Sequence, residues 1–424
     1  MMAGSVTLTM RSLGHLGHHI RRASSVGLGI GKTPTTQCGS LQRRRLATAG
    51  STPCNWRVGD HYFEIRSEDA WLQFDYVWLR DSCRSAASFD PKTSQRIVDT
   101  ASIDLNLRPA DAKETDGHVF LTWPDGHVTS YSLGWLVDHS HGSQRQAAVQ
   151  PRALWNRGVY EAARVQSARW ETIMSCREEL RRFLRDFLLY GVAFVEGVPA
   201  TVEATQALSE RVSIIRETLF GRVWSFTSDL SRGDSAYTNG ALDRHTDTSY
   251  FHEPCGVQVF HCLKHEGTGG RTLLVDGFYS AQKVLKESPE SFELLSRVPI
   301  THENVEHTGA HRNHMVGVGP VLSTHPWNNE LYMIRYNNYD RSPIDTAPQD
   351  VIKRWYQAHR LLTDELRKPE NELWVKLTPG KVVFIDNWRV MHGRDSFTGL
   401  RQICGCYLPR DDVHSTARTL GLLA

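Results

Sequence analysis

The sequence lacks three features, and each absence narrows what the protein can be. No Cys-x-x-Cys pair occurs among its eight cysteines, Cys38, Cys54, Cys83, Cys176, Cys255, Cys262, Cys404 and Cys406. That removes zinc fingers and disulfide frameworks and leaves reduced, mostly buried thiols. No apolar run approaches the ~20 residues of a spanning helix, so no membrane partner is expected. Acid is absent from residues 1–59, the first carboxylate being Asp60, while Arg11, Arg21, Arg22, Lys32, Arg43, Arg44 and Arg45 stand among Ser, Thr, Gly and Leu. This is the composition of a mitochondrial transit peptide, predicted over residues 1–50 and implying the matrix. A secretory signal would need an apolar stretch that Gly and His interrupt here, and a disordered basic arm is the competing reading. Without those seven cations the formal net charge falls from +2 to −5. A nucleic-acid-binding body is not expected from such a balance.

What is present fits a soluble chain of two domains: 424 residues, 40% hydrophobic and 23% charged. Residues 56–145 read as a small β-domain, with Asp125-Gly126 as a two-residue hairpin signal between HVFLT and HVTSY. The polar stretch HSHGSQRQAAVQPR, residues 139–152, is the predicted boundary, and residues 153–424 form the second domain. There ETIMSCREELRRFLRDFLLYG carries Ile173, Met174, Leu180, Phe183, Leu184, Phe187 and Leu188 on a helical stripe ending at Gly191. Helical patterns recur over 202–219, 279–297 and 349–367. Between them lie β-rich runs such as GVQVFHCL, RTLLVDG, ELYMIRYNN, VVFIDNWRVMH and RQICGCYL. Many strands with a few covering helices predict a mainly β fold, a double-sheet barrel with flanking helices, rather than a parallel α/β sheet. No internal repeat is found.

LDRHTDTSYF contains the chain's single His-x-Asp, His245 and Asp247. On a strand, residues two apart share a face and could reach one ion. A facial iron triad needs a second histidine, and His392 in KVVFIDNWRVMHGRD is the best candidate, a strand residue placed before a turn at Gly393. Two histidines and one carboxylate occupy one face of an Fe(II) octahedron and leave three positions open for substrate and O2. Locally, Asp247 could equally cap a turn, and a lone strand-end histidine is commonly structural.

Four segments, ALDRHTD, GVQVFHCLKHEGTGGRTLLVDGF, IRYNNYDR and FIDNWRVMHGRDSFTGLRQICGCYL, together resemble the 2-oxoglutarate- and Fe(II)-dependent dioxygenases of the γ-butyrobetaine hydroxylase group. The likeness runs from about residue 56 to the C-terminus. It implies a double-stranded β-helix core behind a small N-terminal domain, a homodimer, and His245, Asp247 and His392 as iron ligands. It further implies that Arg401 pairs with the distal carboxylate of the co-substrate 2-oxoglutarate, helped by the Thr272 hydroxyl, and that L-ascorbate keeps the iron reduced. The alternation of RQICGCYL agrees, since it puts Arg401, Ile403, Gly405 and Tyr407 on one face. Arg394 is a weaker candidate, expected in an ion pair with Asp395 or nearby carboxylates.

The resemblance also implies an aromatic cage of Phe220, Trp224, Tyr237 and Tyr407. Phe220 departs from the Tyr of the group. A quaternary ammonium offers no N–H to a salt-bridge fork, so aromatic faces must hold it, at ~0.5–2 kcal/mol per cation–π contact. Asp234, three residues before Tyr237, is expected to receive an α-ammonium, and Asn337 a carboxylate. The implied reaction is therefore hydroxylation of trimethyllysine at C3, giving succinate and CO2, as in carnitine biosynthesis. γ-Butyrobetaine as substrate, or a silent barrel binding methylammonium ligands, are the alternatives. The group's N-terminal zinc site is reduced here to Cys83 and His127, with Ser85 and Ser88 at the other positions. Serine is a poor zinc ligand, so no zinc is expected.

Overall fold

The computed structural model describes residues 56–67, 70–140, 151–227, 238–308 and 311–423. The predicted transit segment lies outside them, as does most of the predicted domain boundary. The chain divides into two compact units, residues up to 143 and residues from 144.

The first unit holds two three-stranded antiparallel sheets, Trp56–Val58 with Tyr62–Ser67 and Ala70–Asp75, and Asp111–Thr115 with His118–Thr122 and Val128–Ser132. Phe63, Ile65, Phe74, Leu79, Val119, Leu121, Trp123 and Leu136 form its core. The hairpin near Asp125 differs from the expected two-residue loop. Trp123 N–H donates to the His127 carbonyl at 2.8 Å and Gly126 N–H to the Trp123 carbonyl at 2.9 Å, enclosing Pro124, Asp125 and Gly126. Pro124 fixes the first turn residue and Gly126 takes a φ of +83°, the geometry of a three-residue loop. In this unit Cys83 Sγ lies 3.3 Å from His127 Nε2, with Ser85 Oγ 3.4 Å from the same nitrogen. Ser88 turns instead to Arg80. Burial pushes the Cys83 thiol up, but hydrogen bonds from Ser85 and His127 outweigh it and bring the thiol down to about 6.

The second unit is built on eight strands: β1 (Trp224–Phe226), β2 (Leu242–His245), β3 (Val257–His265), β4 (Thr272–Asp276), β5 (Leu373–Val375), β6 (Val382–Asp386), β7 (Val390–Arg394) and β8 (Arg401–Leu408). One sheet runs β1-β8-β3-β6 and continues into Val192–Glu196 and Ala168–Arg169; the other runs β2-β7-β4-β5. Successive barrel strands thus alternate between two sheets except at β4 and β5, which pair with each other in the smaller one, and this is the double-stranded β-helix. Period-2 alternation sorts the side chains. Val257, Val259, Val382, Phe384, Cys406 and Leu408 pack outward against helices. Leu274, Val383, Ile385, Ile403 and Tyr407 face the interior with Trp224.

Helices α1 (Trp170–Ser175), α2 (Arg177–Tyr190) and α3 (Val202–Val212) cover the larger sheet; α4 (Gly277–Glu287), α5 (Pro289–Arg297) and α6 (Gln349–Leu366) pack against Leu273, Val275 and Met391 of the smaller. Three predicted helices are shorter than their periodicity suggests. The stripe from residue 171 is two helices, broken where Cys176 is extended at φ −103°, ψ 123°. Both pack on the same core, so the apolar spacing runs across the break and conceals it. Gly191 closes α2 in the left-handed region at φ 71°. The pattern over 202–219 stops at Ser213, because the chain then joins the sheet edge, Arg216 N–H donating to the Tyr407 carbonyl at 2.8 Å. The pattern over 279–297 divides at Ser288, where Pro289 supplies no N–H to continue the ladder. No helix among the described residues is long and apolar enough to cross a membrane.

Candidate active site

Strands β2 and β7 are antiparallel neighbours in which His245 is the Cα partner of His392. Their imidazole centroids lie 4.5 Å apart. Asp247 does not share the strand with His245 as expected. β2 ends at His245, and Asp247 opens the following turn, where Thr248 takes a φ of +57°. The carboxylate still reaches both rings, its Oδ1 lying 3.3 Å from His245 Nε2 and 3.4 Å from His392 Nε2. What aims it is Asn387, fully buried. Its Oδ1 accepts from Asp247 N–H at 2.7 Å, and its Nδ2 donates to the carbonyls of Asp247 and Cys255 at 2.9 and 2.8 Å. The sequence reading missed this clamp. Nor does the chain turn at Gly393, which lies within β7. A Cβ there would sit 2.7 Å from the Leu242 carbonyl, so glycine permits β2 and β7 to approach.

One potential ligand atom from each of His245, Asp247 and His392 lies within 4.8 Å of the others, the only such cluster among the described residues. Donors at about 2.1 Å from an ion and at right angles lie about 3 Å apart, so the Nε2–Oδ1 spacings fit one face of an octahedron. His245 Nδ1 is 2.7 Å from the Asp243 carbonyl, to which it donates, leaving Nε2 as the ligand nitrogen. Burial acts to raise the Asp247 carboxyl, but the facing His392 and His245 outweigh it and hold it well below the usual carboxylate range. Its second oxygen, Oδ2, accepts from the Tyr407 hydroxyl at 2.9 Å. Burial first, and the Asp247 charge second, push that phenol well up, so it stays a donor.

The triad opens into a cavity of about 1010 Å³ counting its mouth. Of the remaining predicted residues, Phe220, Trp224, Tyr407, Thr272, Arg401 and Asn337 all line it. Tyr237 and Asp234 lie outside the described residues. Trp224 and Tyr407 have ring centroids 6.0 Å apart, with Phe226 and Phe260 5.5 and 5.7 Å from Trp224. Gly405 makes this possible: a Cβ on it would meet the Trp224 ring at 2.2 Å. Arg401 is 7% exposed, and among the described residues no carboxylate lies within ion-pair distance of it. Burial lowers its pKa from the usual guanidinium value. A buried guanidinium lining the same cavity as a triad that could hold a metal fits an incoming carboxylate. Arg394 is not paired with Asp395 as expected; Arg271 takes that carboxylate at 2.7 Å. Arg394 Nη2 instead donates to the carbonyls of Thr238 and Gly240, both at 2.8 Å, tying that loop to the cavity wall. Phe226, Tyr250, Phe260, Tyr339, Gln258 and Asp340 also line the cavity and were not singled out in the sequence.

The family model described as taurine catabolism dioxygenase TauD, TfdA family matches residues 158–407, and that described as γ-butyrobetaine hydroxylase-like, N-terminal matches residues 55–137. The chain is 61% identical over 377 residues to the mitochondrial trimethyllysine dioxygenase of Mus musculus, covering 89% of this chain and 90% of the mouse protein. Against the protein of the same name from Homo sapiens it is 61% identical, over 88% of this chain and 89% of the human one. The γ-butyrobetaine dioxygenase of Homo sapiens is 28% identical over 81% of this chain and 90% of its own.

Proposed function

We propose that this chain, which belongs to the trimethyllysine dioxygenase branch of the TauD, TfdA family, hydroxylates N6,N6,N6-trimethyl-L-lysine at C3 using Fe(II), 2-oxoglutarate and O2, with L-ascorbate maintaining the ferrous state. The observation that carries this reading is the convergence of two imidazoles and one carboxylate at the base of a cavity walled by aromatic rings. His245, Asp247 and His392 would hold the iron, and Arg401 with Thr272 the distal carboxylate of 2-oxoglutarate. When bound, iron and 2-oxoglutarate would supply the oxidation by O2: one oxygen atom enters succinate as CO2 leaves, and the other is inserted into the C3–H bond to give the hydroxyl.

The chain's own side chains do the positioning. Phe220, Trp224 and Tyr407 offer π faces to a cation that can donate no hydrogen bond. With the quaternary group so anchored, the aliphatic chain extends toward the triad, and the choice of carbon is set by where the anchor lies. Tyr407 has two tasks, its ring serving the cage and its hydroxyl holding Asp247 Oδ2. Tyr237 and Asp234 enter the proposal through the resemblance alone, and so does Asn337 as a binder of the substrate carboxylate. Homodimerisation, implied by the resemblance alone, and a transit segment within residues 1–50 directing the chain to the matrix complete the reading, the latter supported by relatives named mitochondrial. No zinc is assigned to Cys83 and His127, because a structural site normally has four N or S donors.

The discriminating experiment compares 2-oxoglutarate-dependent succinate release with trimethyllysine and with γ-butyrobetaine. Trimethyllysine is expected to be the better substrate by kcat/KM. The reverse order would assign the chain to butyrobetaine chemistry.

A further inference from the structure

An arginine that is to meet a carboxylate binds it best when it is already held in place. The side chain has several rotatable bonds, and affinity is lost if they must be ordered when the ligand arrives. Among the described residues Arg401 has no carboxylate within ion-pair distance. Its guanidinium is therefore held by what packs on its stem.

Arg401 opens β8 and is the Cα partner of His265, the last residue of β3. This end of the sheet is closed by the segment between β3 and β4. Glu266 N–H donates to the Leu400 carbonyl at 2.7 Å, Thr398 N–H to the Thr268 carbonyl at 3.0 Å, and Gly270 N–H to the Ser396 carbonyl at 3.1 Å. Gly270, at a φ of +67°, lies directly against the arginine. A Cβ on it would be 2.9 Å from His265 Cε1 and 3.2 and 3.3 Å from Arg401 Cδ and Nε. The Phe397 ring adds a further wall, its centroid 5.4 Å from the guanidinium carbon and 6.4 Å from that of the His265 ring.

Lys376 ties these parts together. It follows β5, which belongs to the other sheet. Its Nζ lies 3.0 Å from His265 Nε2 and also donates to the Gly269 carbonyl. Burial first, then the Lys376 and Arg401 charges, lower the His265 pKa, so the ring is neutral and its Nε2 accepts from an ammonium that can only donate. One ammonium thus fixes both the imidazole and the glycine segment that enclose the Arg401 stem, and it joins the two sheets there. Neither Lys376 nor His265 lines the cavity, so both act through Arg401.

We propose that Lys376 is a positioning residue for the co-substrate: through His265 it holds the Arg401 guanidinium ready for the distal carboxylate of 2-oxoglutarate. This rests on the role given to Arg401 above.

The test is anaerobic titration of the full-length Fe(II) protein with 2-oxoglutarate and with 2-oxobutanoate, a 2-oxo acid that has no distal carboxylate. In Lys376→Met the dissociation constant for 2-oxoglutarate is expected to rise about tenfold, as for loss of one hydrogen bond made by a charged group. That for 2-oxobutanoate should stay within about twofold, a selectivity that damage to the fold would not produce. His265→Leu leaves the lysine charge in place but removes its acceptor, and should show the same selective loss. His265→Gln keeps an acceptor and should recover part of the affinity. Equal losses on both acids, or an unchanged 2-oxoglutarate affinity in Lys376→Met, would overturn the proposal. So would a loss in Lys376→Met with none in His265→Leu, which would make the lysine a distant charge and not a positioning residue. Arg401→Ala tells the two readings apart. If it keeps the preference for 2-oxoglutarate, the role of Arg401 fails and this proposal with it; if it loses the preference while Lys376→Met keeps it, this proposal alone fails.

Discussion

Replacing Arg401 by Ala separates ligand binding from folding. The guanidinium is 7% exposed and, among the described residues, has no carboxylate within ion-pair distance. The Phe397 ring centroid lies 5.4 Å from its guanidinium carbon. A charge buried without a partner opposes folding, and an arriving carboxylate supplies what is missing. Truncating one member of a buried, hydrogen-bonded charge pair costs about 2–5 kcal/mol. At 1.4 kcal/mol per tenfold, the dissociation constant for 2-oxoglutarate should rise by about 30- to several-thousand-fold. In the ligand-free protein two effects oppose one another, relief of the uncompensated charge and loss of packing along the Arg401 stem. Stability should then move by no more than about 1 kcal/mol. Anaerobic calorimetric titration of the Fe(II) protein with 2-oxoglutarate reads the first quantity, and thermal unfolding of the ligand-free protein reads the second. Arg401→Lys keeps a charge without the two-pronged donor and should fall between. Affinity within threefold of the parent, or an affinity loss explained by unfolding of the ligand-free variant, would refute the assignment.

Other perturbations follow from the same geometry. Tyr407→Phe keeps the ring but removes the donor to Asp247 Oδ2, so Mn(II) affinity should fall about tenfold, as for other partners of metal ligands. Tetramethylammonium binding should change far less, and parallel losses would mean the pocket has collapsed. Gly405→Ala drives a Cβ to 2.2 Å from both the Trp224 ring and the Val259 carbonyl; overpacking of about 1–3 kcal/mol and loss of tetramethylammonium binding are expected, read by thermal unfolding and tryptophan fluorescence. Acid should destabilise the fold through His261 and His302. Burial brings His261 down to about 4; burial, with Arg335 and Arg341, brings His302 down to about 3. The unfolded chain, with histidines near 6.5, binds protons that the folded chain refuses. Stability is therefore fully present above about pH 6.5 and lost as pH falls toward 4, by up to about 1.4 kcal/mol per pH unit per histidine. Denaturant midpoints that do not move between pH 7.5 and 5 would contradict this.

The barrel was legible in the sequence because its strands are bounded by turns and flanked by amphipathic helices, and the alternation in RQICGCYL correctly faces Arg401 and Tyr407 inward. The triad residues were legible as types at separations that a resemblance could order. What local pattern could not show was how Asp247 reaches the metal position. The expectation of a shared strand face was wrong, since the carboxylate leaves the strand and is returned by Asn387, a residue 140 positions away. Gly393 and Gly405 carry no chemistry of their own and matter through close approach of neighbouring strands and rings, which is a tertiary property. Asp340 shares IRYNNYDR with Asn337, yet nothing in the spacing says that its carboxylate accepts from Asn337 Nδ2 and lines the cavity. Helix breaks at Cys176 and Ser288 escaped for a related reason: helices packed on one core keep one apolar rhythm across the interruption.

The most direct measurement is iron binding joined to product analysis on anaerobically prepared protein. After O2, 2-oxoglutarate and trimethyllysine are added, mass spectrometry should find succinate and a product heavier by one oxygen atom in equal amounts, from protein holding one iron per chain. His245→Ala and Asp247→Ala should retain little iron and form neither product. Undiminished iron content and turnover in either variant would contradict the assignment of these side chains to the metal.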